Sequence, residues 1–362
     1  MENGISIYPG LDNSLEENLD LIKKANSQGI TRLFTSLHIP ETNTERLKSE
    51  IIETFKVAHD CNMEIISDIS PTTKDLLDIK EFKASTFKML GITTLRLDYG
   101  FGMEKIAALS QRSYGLRLQL NASTMTGNIL SALVELKTNF DYIDALHNFY
   151  PRVGTGLSEE TLVRKTAMLH KMGIRVGAFV PSQEGRKRSP LGNGLPTLED
   201  HRTEPVEIAA RHLVALGIDS VFLGDSLPTD QEIADLAALK GDQVTISAKL
   251  LTHDRTTEKL LRRTYTARID EARDAVRAQE SRPALQAFGG SLFPDGKTAP
   301  RLRGAVTLDN EEYGRYMGEL QIMKVDLPGD SRVNVVAQID DEEMGMLQYI
   351  TPGRKFSLRL HD

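Results

Sequence analysis

Hydrophobic positions along the first 240 residues recur as one unit: a short apolar run that ends in a polar cluster, then a helix-length amphipathic stretch. Eight runs are legible, from Ile5 to Tyr8, Arg32 to Ser36, Glu64 to Asp68, Thr94 to Asp98, Leu116 to Asn121, Tyr142 to His147, Arg175 to Val180 and Ser220 to Leu223. Between the first two, Ser14 with Glu17 has the spacing of a capping box, and Leu15, Leu19, Ile22 and Ala25 fall on one helical face. Four helix ends carry the same punctuation, Gln28-Gly29-Ile30, Leu90-Gly91-Ile92, Met172-Gly173-Ile174 and Leu216-Gly217-Ile218. A glycine just past a helix can take the left-handed conformation that closes it, and the isoleucine then opens a buried strand. The pattern predicts repeated βα units.

Eight such units close a barrel, and residues 1–240 match the roughly 250 residues usual for a (β/α)8 TIM barrel. A doubly wound open sheet is the rival, but no Gly-rich phosphate fingerprint follows the first run. Near Leu239-Lys240-Gly241-Asp242 the character changes. Val244 to Ala248, Val333 to Ala337 and Phe356 to Leu360 alternate with period two, and turns such as Leu327-Pro328-Gly329-Asp330 and Thr351-Pro352-Gly353-Arg354 separate strands. A small, mostly β domain over 241–362 is expected to follow a catalytic barrel over 1–240. Arg262 to Arg282, rich in Arg, Glu and Ala, reads as an irregular or partly helical connection with a solvated charged face.

Composition narrows the function classes. The chain has 362 residues, a net charge of -7 with both signs interspersed, and one cysteine, Cys61. Nothing points to a nucleic-acid or membrane partner, an intrachain disulfide or a Cys-rich metal site. No basic start with an apolar core and no apolar run long enough to span a bilayer is present, so the expected location is the cytoplasm.

In a (β/α)8 barrel the chemistry sits at the C-terminal strand ends. Those ends present Tyr8; His38 and Glu41; Asp68; Arg96, Asp98 and Phe101; Asn121; His147, Asn148, Tyr150 and Arg152; and Asp225. Asp68, Asp98 and Asp225 each suit a helix N-cap equally well, and His38 and His147 singly read as hydrogen-bonded barrel histidines. Three acids with His38, Asn121, His147 and Asn148 on one rim exceed what capping needs. Tyr8, Phe101 and Tyr150 suit either packing or walls for a sugar ring. The stretch from Pro181 to Arg202 is far longer than the roughly 2 to 6 residues of most βα connections. It carries Arg186, Lys187 and Arg188, which suit an anion site or a solvated basic loop, and ends in Glu199-Asp200-His201-Arg202.

Paired carboxylates on such a rim suit glycoside hydrolysis, one protonating the leaving oxygen and the other acting as base or nucleophile. Metal-assisted hydrolysis through His38, Glu41, His147, His201 and Asp225 competes, without a tight ligand motif. An aldolase lacks a lysine at any strand end, and a non-catalytic sugar-phosphate sensor would have little use for so many acids.

Gly4-Ile5-Ser6-Ile7-Tyr8-Pro9, Leu95-Arg96-Leu97-Asp98-Tyr99-Gly100-Phe101, His147-Asn148-Phe149-Tyr150-Pro151-Arg152, the segment from Gly194 through Pro196-Thr197-Leu198-Glu199 to Arg202, and Leu223-Gly224-Asp225 together resemble the bacterial 6-phospho-N-acetylmuramidases. The resemblance spans essentially the whole chain and implies a TIM barrel followed by a cyclophilin-like β domain. It also implies cleavage of the β-1,4 bond between N-acetylmuramic acid 6-phosphate and N-acetylglucosamine, in cytoplasmic recycling of cell-wall sugar after phosphorylating uptake. The partner is then a small phosphorylated amino-sugar disaccharide. No cofactor or metal is called for, and the oligomeric state, a homo-oligomer included, stays open. On this reading Asp98, Glu199 and Asp225 lead as catalytic carboxylates with Asp68 in reserve. Asn121 and Asn148 would hold N-acetyl or hydroxyl groups, while Arg96, Arg152 and Arg202 would bind the phosphate or lactyl carboxylate. Tyr8, His38, His147, Tyr150 and His201 complete the expected substrate-binding set.

Overall fold

The computed structural model describes residues 1–37, 39–70, 73, 84–98, 100–111 and 115–362, and the chain divides into two compact units, Met1–Gly241 and Asp242–Asp362. In the first unit β1 (Gly4–Ser6), β2 (Arg32–Ser36), β3 (Glu64–Ile69), β4 (Thr94–Leu97), β5 (Arg117–Asn121), β6 (Ile143–Leu146), β7 (Val176–Val180) and β8 (Ser220–Leu223) pair in parallel and in sequence order, and β8 returns to β1 to close a TIM barrel. Helices follow the strands at Leu15–Ser27, Thr44–Asp60, Ala84–Met89, Met103–Gln111, Gly127–Glu135, Glu159–His170, Val206–Ala215 and Asp230–Ala237.

Local chemistry explains where these helices begin and end. Ser14 and Glu17 form a reciprocal capping box, and Asn43, Thr126, Ser158 and Thr229 each accept a first-turn backbone N–H. Gly29, Gly91, Gly173 and Gly217 all have positive φ. Behind each, the amide of Ile30, Ile92, Ile174 or Ile218 reaches back to the carbonyl of Ala25, Phe87, Leu169 or Leu213 at 3.0–3.2 Å. This is the Schellman closure, and all four isoleucines are buried at the strand entrance.

The barrel interior is layered. At the N-terminal strand ends Arg32 bonds Glu64 (2.7 Å) and Asp144 (2.6 Å), and Gln119 donates to Asp144 (3.0 Å). Arg32 and Glu64 are register partners, as are Gln119 and Asp144. Arg32, Gln119 and Asp144 are buried and Glu64 is partly so, and the guanidinium also lies over the Phe222 ring. This polar plug sits opposite the catalytic end of the fold and belongs to stability. Above it Tyr8, Phe34, Ile39, Ile66, Leu146, Phe179, Leu195 and Phe222 form a continuous apolar layer that floors the C-terminal mouth.

The second unit is a seven-stranded sheet in the order β10 (Tyr265–Thr266), β15 (Lys355–His361), β9 (Gln243–Leu250), β14 (Val333–Ile339), β12 (Ala305–Asp309), β13 (Leu320–Met323), β11 (Ala275–Arg277). Only the β9–β15 pair is parallel. Val244, Ile246, Ala337, Ile339 and Phe356 from the three longest strands build its core. The stretch from Arg262 to Arg282, read above as irregular or partly helical, instead contains β10 and β11, whose two and three residues leave alternation no room to show. Among the described residues no helix is long and apolar enough to cross a membrane.

Candidate active site

The mouth of the barrel holds a cavity of about 260 Å³ lined by Phe34, Ser36, Ile39, Pro40, Glu41, Asp68, Arg96, Asp98, Asn148, Phe149, Phe179 and Arg188. Its centre is Arg96, 2% exposed on β4, the register partner of Asp68 on β3. One guanidinium nitrogen, Nη1, donates to Asp68 Oδ1 at 2.6 Å and to Asp98 Oδ1 at 3.3 Å. The other, Nη2, donates to Asn148 Oδ1 at 2.5 Å. Asn121, at the end of β5, donates to Asp98 Oδ1 at 2.9 Å. Asp98 keeps 22% of its side chain exposed whereas Asp68 keeps 8%. Of the pair, Asp98 is therefore the one a ligand reaches more freely.

One wall is aromatic. Phe34, Phe149 and Phe179 meet edge to face with centroids 5.0–6.0 Å apart. Also lining the cavity, the guanidinium of Arg188 lies over two rings, 5.2 Å from the Tyr8 centroid and 4.9 Å from that of Phe149. Tyr8 is itself buried, donates its hydroxyl to the Gly224 carbonyl at 2.7 Å, and has its phenol pushed up by burial. It supports the site from beneath and does not line the cavity.

The long connection after β7 is tightly anchored. Asp225, buried just past β8, accepts the backbone N–H of Ser182 (2.9 Å) and Arg188 (3.0 Å). Burial pushes its carboxyl up against the pull of these donors. Glu232 accepts from the Ser182 hydroxyl and the Gln183 amide while completing the capping box of Asp230–Ala237. Thr229, not Asp225, caps that helix.

At the far end of the loop Glu199 and Arg202 lock together. Glu199 Oε1 accepts from Arg202 Nε (2.7 Å) and the Gly154 amide (2.8 Å), and Oε2 from Arg202 Nη2 (2.8 Å) and the Gly156 amide (2.7 Å). These donors, Arg202 first, hold the carboxyl down to about 2. Arg202 spends its remaining donors on the carbonyls of Tyr150, Arg152, Asn193 and Gly194. Neither residue lines the cavity, and neither do Asp225, Asn121, Tyr150 or the exposed Arg152.

The histidines are likewise occupied. His147 is fully buried between the Ser123 and Thr166 hydroxyls at 3.2 Å each, and burial with nearby Lys165 and Arg96 holds it down to about 3. His201 pairs with His212 at 2.9 Å and is also held to about 3 by burial. His38 lies outside the described residues. Of the described members of the metal-ligand set weighed from the sequence, Glu41 lines the cavity while His147, His201 and Asp225 do not, and among the described residues no group of three His, Cys, Asp or Glu side chains is placed to hold an ion.

Of the expected site residues, the structure thus brings Asp68, Arg96, Asp98 and Asn148 into one cavity, with Asn121 and Tyr8 directly behind it. Phe34, Phe149 and Phe179 were missed, because an aromatic near a strand end reads as core. Arg188, which the sequence offers either as an anion donor or as part of a solvated basic loop, and Glu41, which it offers as a metal ligand, also line the cavity.

Two family models match the chain, the N-terminal part of 6-phospho-N-acetylmuramidase over residues 3–238 and its C-terminal part over residues 244–359. The fold is similar to the crystal structure of an uncharacterized B. cereus protein, with 30% identity, 99% of this chain and 100% of that one covered, and a TM-score of 0.84. It is also similar to a conserved protein of unknown function from a locus in Enterococcus faecalis, with 32% identity, 100% and 97% coverage, and a TM-score of 0.67. None of the curated proteins matches significantly.

Proposed function

The chain belongs to the 6-phospho-N-acetylmuramidase family and is a glycosidase, and from that premise we propose that its barrel mouth hydrolyses the β-1,4 bond between N-acetylmuramic acid 6-phosphate and N-acetylglucosamine. The observation that carries this reading is the convergence of Asp68 and Asp98 on one buried guanidinium beside a phenylalanine wall. Asp98, the more exposed and oriented by both Arg96 and Asn121, acts at the reacting centre. Asp68 is its partner, one carboxyl delivering a proton to the leaving oxygen and the other attacking the anomeric carbon or activating water.

The spacing favours one stereochemical course. Because both Oδ1 atoms bond the same nitrogen, they lie no more than about 6 Å apart, a close pairing that sits nearer the roughly 5–5.5 Å of retaining enzymes than the middle of the roughly 6.5–9.5 Å range of inverting ones. Retention, through a glycosyl-enzyme, is the expected outcome. Phe149 and its neighbours offer an apolar face to the sugar ring, and Asn148 offers an amide at its edge. Glu41 adds a third carboxyl from the segment after β2. A sugar phosphate is made and kept inside the cell, so a cytoplasmic role in recycling cell-wall sugar follows from the substrate.

Incubating the protein with this disaccharide and with its unphosphorylated twin, and following N-acetylglucosamine by mass spectrometry, tests the reading. Release from the phosphorylated form is expected. A folded protein that cleaves neither form would remove the proposal.

A further inference from the structure

We infer that Arg188 is the residue through which this cavity recognises an oxyanion on its ligand, and that the buried Asp225 positions it for that task. The inference deepens the proposed function and rests on its substrate carrying two oxyanions, the 6-phosphate and the lactyl carboxylate.

Two guanidinium groups line the cavity, and they differ in what they have left to offer. Arg96 gives both of its Nη nitrogens to Asp68, Asp98 and Asn148, and only its buried Nε is left without a partner. Among the described residues the Arg188 guanidinium meets no hydrogen-bond or ion-pair partner, and its Nε is buried without one. Its charge is steadied by the faces of Tyr8 and Phe149, a contact that uses no N–H donor. A half-buried guanidinium with idle donors is costly unless a ligand satisfies them, and its planar fork matches a carboxylate or phosphate.

The backbone delivers it there deliberately. Asp225 accepts the Arg188 amide, and the same carboxylate also binds the Ser182 amide at the start of the loop, so one buried group fixes both ends of the segment that bears the arginine. The other rim arginines expected to bind anions are committed or remote. Arg202 is spent on Glu199 and four carbonyls, Arg186 is paired with Glu17, and Arg152 is exposed outside the cavity.

The test is calorimetric titration of the wild type, Arg188→Met and Arg188→Lys with N-acetylmuramic acid 6-phosphate, N-acetylglucosamine 6-phosphate, N-acetylmuramic acid and neutral N-acetylglucosamine. Melting curves and turnover of the phosphorylated disaccharide are measured on the same preparations. Methionine keeps the apolar stem, so it is expected to melt near the wild type while weakening the recognised ligands about 10- to 100-fold, the loss of one or two charge-assisted bonds. Lysine, with the charge but not the fork, should recover part of the loss. A loss confined to the two 6-phosphates assigns the phosphate; one confined to the two muramic acids assigns the lactyl group. Wild-type affinity for all ligands in Arg188→Met, equal losses that include neutral N-acetylglucosamine, or a wild type that binds none of them would each overturn the inference. A wild type that binds the anionic sugars but cleaves nothing would sink the glycosidase mechanism and leave Arg188 standing, whereas normal cleavage and binding by Arg188→Met would sink Arg188 alone.

Discussion

Glu199→Gln separates a carboxylate that builds the site from one that reacts in it. Each carboxylate oxygen accepts two N–H donors, one from Arg202 and one from the 154–156 turn. An amide leaves one oxygen and turns an NH2 group toward the other two donors, so two charge-assisted bonds are lost. The carboxyl is held at about 2 against an ordinary 4.5, which at about 1.36 kcal/mol per unit sets a ceiling near 3 kcal/mol. With 29% of the side chain exposed, screening reduces this to about 1–2 kcal/mol. For a barrel unit of this size that corresponds to a melting temperature lower by about 2–8 °C. Since the folded value lies below the unfolded one, the contribution is complete above about 4.5 and disappears as pH falls toward about 2, so the two melting curves should converge in acid. Calorimetric melts at pH 7 and pH 3, with disaccharide turnover at pH 7, check this. Turnover within about 10-fold of the wild type is expected, well short of the 10²–10⁴ range of a lost proton-transfer group. An unchanged melting temperature with turnover reduced about 1,000-fold or more would refute the reasoning and return Glu199 to the chemistry.

Asp98→Asn should lower kcat by about 10²–10⁴-fold with little change in melting temperature, and near-normal steady-state turnover would exclude it from the reacting pair. Asp225→Asn should raise KM for the phosphorylated disaccharide more than it lowers kcat, because it acts through Arg188; a collapse of kcat at unchanged KM would make Asp225 a catalytic group instead. His147 is held neutral at about 3 against 6.5, so it favours folding fully above 6.5 and less as pH falls toward 3, by about 1.36 kcal/mol per unit. Urea unfolding of His147→Gln between pH 4 and 7 should show a pH slope shallower by about one proton than the wild type, and an identical slope would mean that His147 is charged in the fold.

The barrel was legible because its signals are local. Strands covered on both faces read as unbroken apolar runs, and each Gly-Ile pair closes a helix through bonds that span only five residues, as from Ile30 to Ala25 or Ile218 to Leu213. The polar plug was not legible, since Arg32, Glu64, Gln119 and Asp144 look like ordinary strand-edge residues until closure brings four strands together. In the second unit the three longest strands showed their alternation, while β10, β11 and the seven-residue helices Arg255–Leu261 and Ser281–Ala287 are too short to carry a period.

The rim divides on a different principle. A strand-end position marks Asp68, Arg96, Asp98 and Asn148 for the cavity, because residues there point inward at a height fixed by the register. The same marks do not separate Asp225, Glu199, Arg202 or His201, whose partners are decided by long-range folding: Ser182 and Arg188, Gly154 and Gly156, four carbonyls, and His212. Residue type says that a group can donate or accept; only the structure says whether that capacity is already spent. Glu199, satisfied by four donors, and Arg202, satisfied by Glu199 and four carbonyls, have nothing left for a substrate. Arg188, stacked on rings that take none of its donors, keeps its capacity to bind an anion. The basic run from Arg186 to Arg188 therefore holds two opposite cases two residues apart, Arg186 tied to Glu17 and Arg188 turned toward the cavity, and no compositional reading of that run separates them.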